Sequence, residues 1–356
     1  MINVTKTFMP AIAEYQQYLE GIWQRGQVTN NGPLVRELEA KLKDYLGVKN
    51  LFFCSNGTVV IQLALKALNI TKEVITTPFS YCATATAPLW ENCTPIMADI
   101  NPKDLNINVF QVEKAITENT QAILATHVYG NPCEVEALQK LAQKHHLKLI
   151  YDGAHAFGVK LKGQSLLSFG DVTTCSFHAT KVFHTIEGGC IIMEDDELAK
   201  KISLYRSFGH VNDDYFSMGI NAKNSEFHAA MGLCVLPKLA AIIQNRREIS
   251  EKYDSLLDNR FKKPESNSQH LAKNFAYYPI ICESESQLLV IKKALESQGI
   301  NPRRYFFPSL NQLPYIQKQD CPVADTLAPR ALCLPLYYDL SLEDVTRISS
   351  IINQTL

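Results

Sequence analysis

The chain has 356 residues, of which 46% are hydrophobic and 20% charged, with a formal net charge of −1. That length suggests one large and one smaller domain, read here as 1–240 and 241–356, and the balanced charge argues against a nucleic-acid partner, whose footprint is a basic excess. No uninterrupted apolar run looks long enough to cross a bilayer, and the start Met-Ile-Asn-Val-Thr-Lys lacks the basic and apolar parts of a signal peptide, so a cytoplasmic chain is expected.

In chain order, Ile12, Tyr15, Leu19 and Trp23 follow Pro10 at helical spacing and predict a helix over 10–25. The turn-rich loop Val28-Thr29-Asn30-Asn31-Gly32-Pro33 can approach a ligand closely. Leu34, Leu38, Leu42 and Tyr45 mark the next helix, closed by Gly47. Leu51 to Cys54 reads as a buried strand, and Ser55-Asn56-Gly57-Thr58 turns from it into an apolar helix over 59–68. Such a turn presents free backbone N–H groups and the positive end of the helix dipole to an anion. There is no G-x-G-x-x-G and no Walker lysine to support a dinucleotide or ATP site.

Strands are predicted at 74–77, 95–100, 122–126 and 147–152, separated by helices ending at Trp90, at Ile116 and at His145. This alternation describes a mostly parallel sheet covered on both faces. Asp152 ends its strand, and in open α/β sheets ligands bind off the carboxyl ends of strands. Two further short apolar runs, 172–175 and 190–193, flank a polar connection that carries Lys181. From this stretch alone Lys181 is either a surface-loop lysine or a buried one with a depressed pKa, able to act as nucleophile or base. An acid at one strand end and a lysine after a neighbouring strand is the arrangement pyridoxal phosphate requires: the lysine forms a Schiff base with the aldehyde, and the carboxylate keeps the pyridine nitrogen protonated.

Further on, a helix is predicted over 197–207, no periodicity over 209–223, and a long helix from Ser225 to about Leu257, kinked at Pro237. Residues 262–268 read as a polar loop, 277–281 as a strand, and 285–297 and 342–352 as helices. Between them the aromatic stretch 302–308 carries Arg303 and Arg304, either a grip for a nucleotide diphosphate or a solvated charge pair. The ten cysteines have no C-x-x-C pair and no zinc-ligand rhythm, so they read as small buried hydrophobes and no metal is expected.

Asp152-Gly153-Ala154-His155-Ala156 and Ser176-Phe177-His178-Ala179-Thr180-Lys181, with their separation, closely resemble the motifs of the DegT/DnrJ/EryC1/StrS family of nucleotide-sugar aminotransferases. The resemblance implies an α/β fold, the fold-type I pyridoxal-phosphate-dependent transferase (aspartate aminotransferase-like), with a large mostly parallel-sheet domain and a smaller C-terminal α/β domain. It implies Lys181 and Asp152 as catalytic residues and pyridoxal 5'-phosphate as cofactor. Gly57, Thr58 and Ser176 would hold its phosphate, Tyr81 would lie against the ring and His155 beside it. The Gly219-x-Asn221 and Ser225-Glu226-x-x-Ala229-Ala230 signature implies that Asn221 reaches the neighbouring subunit's phosphate, hence a homodimer with shared sites.

The loop with Thr29 and Asn30 matches one that borders the sugar in the family. Relatives that dehydrate sugars carry histidine at the lysine position, so Lys181 favours aminotransfer. The finer motif pattern looks most like enzymes forming dTDP-4-amino-4,6-dideoxyglucose from the 4-keto sugar and glutamate. A 3-aminotransferase, a GDP- or UDP-sugar enzyme, a non-catalytic pyridoxal-phosphate binder, or a pyridoxal-phosphate enzyme acting on amino acids alone, such as a lyase, are the alternatives.

Overall fold

The computed structural model describes residues 1–266, 268 and 270–355; Asn267, in the expected 262–268 loop, lies outside the described residues. The elements run β1 (Ile2–Asn3), α1 (Ile12–Arg25), α2 (Pro33–Leu46), β2 (Asn50–Cys54), α3 (Gly57–Ala67), β3 (Glu73–Thr76), α4 (Ala83–Trp90), β4 (Thr94–Met97), α5 (Val109–Ala115), β5 (Thr120–Thr126), α6 (Val135–Lys144) and β6 (Lys148–Asp152). A small hairpin, β7 (Lys160–Leu161) and β8 (Gln164–Ser165), precedes β9 (Val172–Ser176), β10 (Gly189–Met193) and α7 (Asp196–Tyr205). A second hairpin, β11 (His210–Val211) and β12 (Asp214–Tyr215), falls in the stretch where no periodicity was visible. Then come α8 (Glu226–Val235), α9 (Leu239–Leu256), β13 (Leu271–Ala272), β14 (Tyr278–Ile281), α10 (Glu285–Ser297), β15 (Ile300–Asn301), α11 (Pro322–Leu327), β16 (Ala331–Leu334) and α12 (Leu342–Gln354).

Seven strands form the central sheet in the order β2-β10-β9-β6-β5-β3-β4. Only β10 runs against its neighbours; β9, β6, β5, β3 and β4 pair in parallel. This one reversal has a consequence for the site. Because β10 opposes both β2 and β9, those two point the same way, and β2, β3, β5, β6 and β9 all end at one edge. Their inner residues are apolar on both faces, as a helix-covered sheet demands: Phe53, Ile75, Ile123, Leu149 and Ile192 belong to one core, and Cys54, Val74, Leu124, Ile150 and Ile191 to the other.

The C-terminal lobe packs α10 and α12 on the antiparallel pair β14–β16. Helix α9 belongs to both lobes, with Leu239 and Ile242 in the large core and Ile249 and Tyr253 in the small one, so the expected boundary at 240/241 falls on a shared element. The N-terminal strand β1 pairs with β15 and is therefore part of the C-terminal lobe. A fourth apolar cluster joins the lobes, bringing Phe79 and Tyr129 against Phe306, Leu310 and Cys333.

Pro237 interrupts the long helix with a 3-10 turn at Leu236–Lys238, as its missing N–H dictates. By length and composition alone Glu226–Leu256 reaches the apolarity of a bilayer-crossing helix, though Lys238 interrupts its apolar run. Its apolar side chains Ala229, Leu233, Val235, Leu239 and Ile242 are buried in the large core, which accounts for that composition.

Candidate active site

The strand ends at the shared edge open into a cavity of about 290 Å³ lined by Asn56, Gly57, Thr58, Tyr81, Asp152, His155, Ser176, Lys181 and Arg303 among others. Thus eight residues expected from distant parts of the sequence, Gly57, Thr58, Tyr81, Asp152, His155, Ser176, Lys181 and Arg303, share one cleft.

Asp152 is the last residue of β6 and is 6% exposed. Its Oδ2 accepts from Thr84 Oγ1 at 2.8 Å and its Oδ1 from the Ala154 amide at 3.0 Å. Burial pushes its pKa up, while the Ala154 and Thr84 hydrogen bonds and the Lys181 charge pull it back. Lys181 lies on the connection from β9 to β10, and burial lowers its pKa against the opposing pull of Asp152. Its Nζ donates to the Tyr277 hydroxyl at 3.4 Å. A lysine held towards its neutral form beside a carboxylate fits a nucleophile and proton carrier better than a surface charge.

His155 is 3% exposed. Its Nδ1 accepts from the Tyr129 amide at 3.3 Å, and its ring stacks on Phe306, with 5.3 Å between centroids and 9° between planes. Burial, then the neighbouring Lys181, hold its pKa well below the usual value, so the ring is neutral, with its proton on Nε2.

At the other end of the cleft, α3 begins at Gly57 with Asn56 as N-cap; the Asn56 side chain accepts from the Thr58 and Val59 amides at 3.0 and 2.9 Å. The Gly57 amide, in the first turn, has no intrahelical acceptor and points with the helix dipole at an anion. Gly57 is required by close approach: a Cβ there would stand 2.8 Å from Ser176 Cβ and 3.1 Å from Ser176 Oγ. The Gly57 amide and the Thr58 and Ser176 hydroxyls are donors that could hold a phosphate, with a lysine and a buried carboxylate in the same cleft. This donor set fits pyridoxal phosphate on the structure's own terms.

Gly57→Ala is expected to push α3 off Ser176, at an overpacking cost of about 1–3 kcal/mol. Cofactor titration should show roughly ten- to hundredfold weaker binding by a chain that still melts cooperatively.

Several lining residues escaped the sequence reading. Tyr277, read only as the start of a strand, contacts Lys181 and meets the His155 ring edge-on at 5.0 Å. It hangs from a strap: Asn274 Nδ2 donates to the carbonyls of His155 and Phe157 at 2.8 and 3.0 Å, and Arg246 Nη1 donates to those of Phe275, Ala276 and Leu336 at 3.2, 3.4 and 3.0 Å. Tyr305 and Phe306 complete an aromatic wall, anchored by a hydrogen bond from the Tyr129 hydroxyl to the Tyr305 carbonyl. His178, Thr180 and Glu187 rim the mouth, where His178 lies 3.5 Å from Glu187. No periodicity announces Tyr277; the aromatic cluster at 305–307 was a visible signal, and His178 and Thr180 lie within the Ser176–Lys181 motif, which gave them no role.

Four expected residues do not line this cleft. Arg304 is engaged outside the cleft, as a charge pair beside an aromatic ring: it donates to Glu285 at 2.6 Å and to the Pro329 carbonyl at 3.1 Å, and its guanidinium lies over Phe307. Arg303 pairs through its backbone with Cys333. Of the two arginines, Arg303 is the one that lines the cleft. Thr29 and Asn30 sit exposed on their loop, Asn30 in the left-handed region at φ 60°, and Asn221 is exposed where it bridges to Ser207. None of these three lines the cleft of its own chain.

The model of the DegT/DnrJ/EryC1/StrS aminotransferase family matches residues 11–353. A dTDP-4-amino-4,6-dideoxy-D-glucose transaminase of Shigella dysenteriae is 40% identical over 361 residues, covering 99% of this chain and 98% of the relative. One of the same description from Escherichia coli is 36% identical with the same coverage. Among solved structures, DesI in the presence of its TDP-sugar product superposes with a TM-score of 0.94 at 30% identity, covering 99% of this chain and 92% of that one. PseC of Helicobacter pylori, an aminotransferase involved in the biosynthesis of pseudaminic acid, gives 0.91 at 28%, covering 99% and 98%.

Proposed function

Since the chain belongs to the DegT/DnrJ/EryC1/StrS aminotransferase family, we propose that it moves an amino group from glutamate to dTDP-4-keto-6-deoxyglucose, giving dTDP-4-amino-4,6-dideoxyglucose. The reaction class rests on the convergence of Lys181 and Asp152 at one strand edge beside the Gly57 cradle. The sugar rests on near full-length similarity to two transaminases of that description, at 40% and 36% identity.

Bound pyridoxal phosphate supplies an electron sink that stabilises negative charge at the carbon losing its proton. The protein supplies the rest. Gly57, Thr58 and Ser176 would hold the phosphate; Asp152 would serve as the ionised partner of the ring nitrogen; Tyr81 and the neutral His155 would pack the ring. Lys181 would anchor the cofactor, and as a free amine its Nζ would carry the proton. Its donation to Tyr277 Oη uses one N–H and leaves the nitrogen lone pair free for that transfer. Arg303, exposed at the mouth with its guanidinium 5.4 Å from the Tyr305 ring centre, is the cation we assign to the substrate's anionic groups.

We place Asn221 in the partner's phosphate site within a homodimer. The segment around it supports this: Phe208, Val211, Tyr215, Phe216, Met218 and Ile220 are all exposed at 44–77%, an apolar patch larger than scattered surface residues form.

The test follows absorbance of the cofactor-loaded protein. Glutamate should bleach the yellow band, and dTDP-4-keto-6-deoxyglucose should restore it while GDP- and UDP-linked keto-sugars do not. Recovery with another nucleotide sugar would refute the proposed substrate, and an unmoved band would refute the amino donor.

A further inference from the structure

Three buried hydroxyls run in single file to the catalytic carboxylate. Thr126 Oγ1 donates to Ser80 Oγ at 3.1 Å, Ser80 Oγ lies 2.8 Å from Thr84 Oγ1, and Thr84 Oγ1 donates to Asp152 Oδ2 at 2.8 Å. Thr126 and Thr84 are fully buried and Ser80 is 2% exposed. They come from three separate places: the end of β5, the loop after β3, and the first turn of α4. Thr126 is also the β5 residue paired in register with Asp152 on β6, so the chain closes a ring around the carboxylate.

The direction of this chain is forced. Each hydroxyl owns one proton, and a carboxylate owns none. Thr84 gives its proton to Asp152, so the Ser80–Thr84 bond takes the Ser80 proton, and Ser80 then accepts from Thr126. The other carboxylate oxygen accepts from the Ala154 amide, which cannot reverse. A proton on Oδ1 or Oδ2 would weaken that oxygen as acceptor for the Ala154 amide or the Thr84 hydroxyl, so both donors favour the ionised carboxylate.

We propose that Thr84, backed by Ser80 and Thr126, is a positioning residue that keeps Asp152 ionised and fixes the orientation of its carboxylate. This rests on the role of Asp152 in the reading above. The other groups facing Asp152 are Lys181 from the β9–β10 connection and the Tyr277 phenol from the C-terminal lobe, and a change at Thr84 alters neither.

The experiment compares Thr84→Val, nearly isosteric without the hydroxyl, with Thr84→Ser, which restores it. The first readout is thermal melting of cofactor-free protein at pH 5 and pH 8. A buried carboxyl whose folded pKa lies above its unfolded value costs stability increasingly as pH rises from the unfolded towards the folded value. Removing the Thr84 donor raises the folded value further. The Thr84→Val deficit in Tm should therefore be larger at pH 8 than at pH 5, by about 2–4 °C, whereas loss of mere packing would give one deficit at both.

The second readout is bleaching of the loaded protein by glutamate, expected to slow about tenfold or more in the valine variant and to recover with serine. Equal deficits at both pH values, or unslowed bleaching in Thr84→Val, would overturn the proposal. If the unmodified protein itself fails to bleach, the functional reading falls, and the pH-dependent melting still decides the role of Thr84.

Discussion

Replacing Lys181 with alanine is expected to remove the yellow band of the loaded protein and to cut turnover by roughly 10⁴-fold or more. In the proposed reaction the side chain serves twice, as covalent anchor and as proton carrier, and alanine supplies neither an amine nor a base. Burial prepares the residue for both uses by favouring the neutral amine, against the pull of Asp152 towards the charged form. The phosphate cradle lies elsewhere, on α3 and at the end of β9, so the variant should still bind the cofactor, and equilibrium titration with the phosphate-bearing vitamer should show it. Lys181→Arg tests charge separately from nucleophilicity: a guanidinium keeps the positive charge beside Asp152 but stays protonated, so it should be as inactive as alanine. Turnover by either variant at more than a hundredth of the normal rate, measured by amino-sugar formation, would remove Lys181 from the mechanism.

The legible parts of the molecule were those with local causes. The parallel sheet followed from apolar runs alternating with helical periodicity, and the positions of Asp152 and Lys181 followed from strand ends. The break at Pro237 is covalent in origin and showed directly. What stayed hidden depends on pairing between distant segments. The N-terminal β1 joins β15 through two residues, too few to carry a pattern. Tyr277 enters the site because Asn274 and Arg246 hold the strap before it, a relation between side chains and carbonyls with no sequence periodicity. The division of the basic pair has the same origin: two adjacent arginines look equivalent in sequence, and only the fold brings Arg304 to Glu285 and the Pro329 carbonyl while Arg303 lines the cleft.

Glu226→Ala should lower the stability of the cofactor-free chain by about 1–3 kcal/mol, a sizeable part of the roughly 5–15 kcal/mol typical of folded domains. Glu226 is fully buried, and its carboxylate accepts from the Leu34 and Val35 amides at 3.0 and 2.9 Å, with Arg25 at 3.5 Å. Helix α2 cannot cap itself, because its N-cap is Gly32 and its first residue is Pro33. Its acceptor therefore comes from the first turn of α8, across the fold. Gly32 leaves the space: a Cβ there would fall 2.5 Å from the Glu226 carboxyl carbon, so Gly32→Ala should destabilise by the same route.

The Glu226 amide in turn donates to the Val28 carbonyl at 3.0 Å, so one residue grips both ends of the loop that carries Thr29 and Asn30. Two motifs that read as separate in the sequence are thus a single clamp. The consequence reaches substrate binding. At a temperature where Glu226→Ala remains folded, the KM for the nucleotide sugar should rise several-fold while bleaching by glutamate changes little, since the clamped loop is the one expected to border the sugar. Thermal melts combined with both half-reactions separate the outcomes: a lowered Tm with an unchanged sugar KM would confine Glu226 to the fold and detach Thr29 and Asn30 from the substrate.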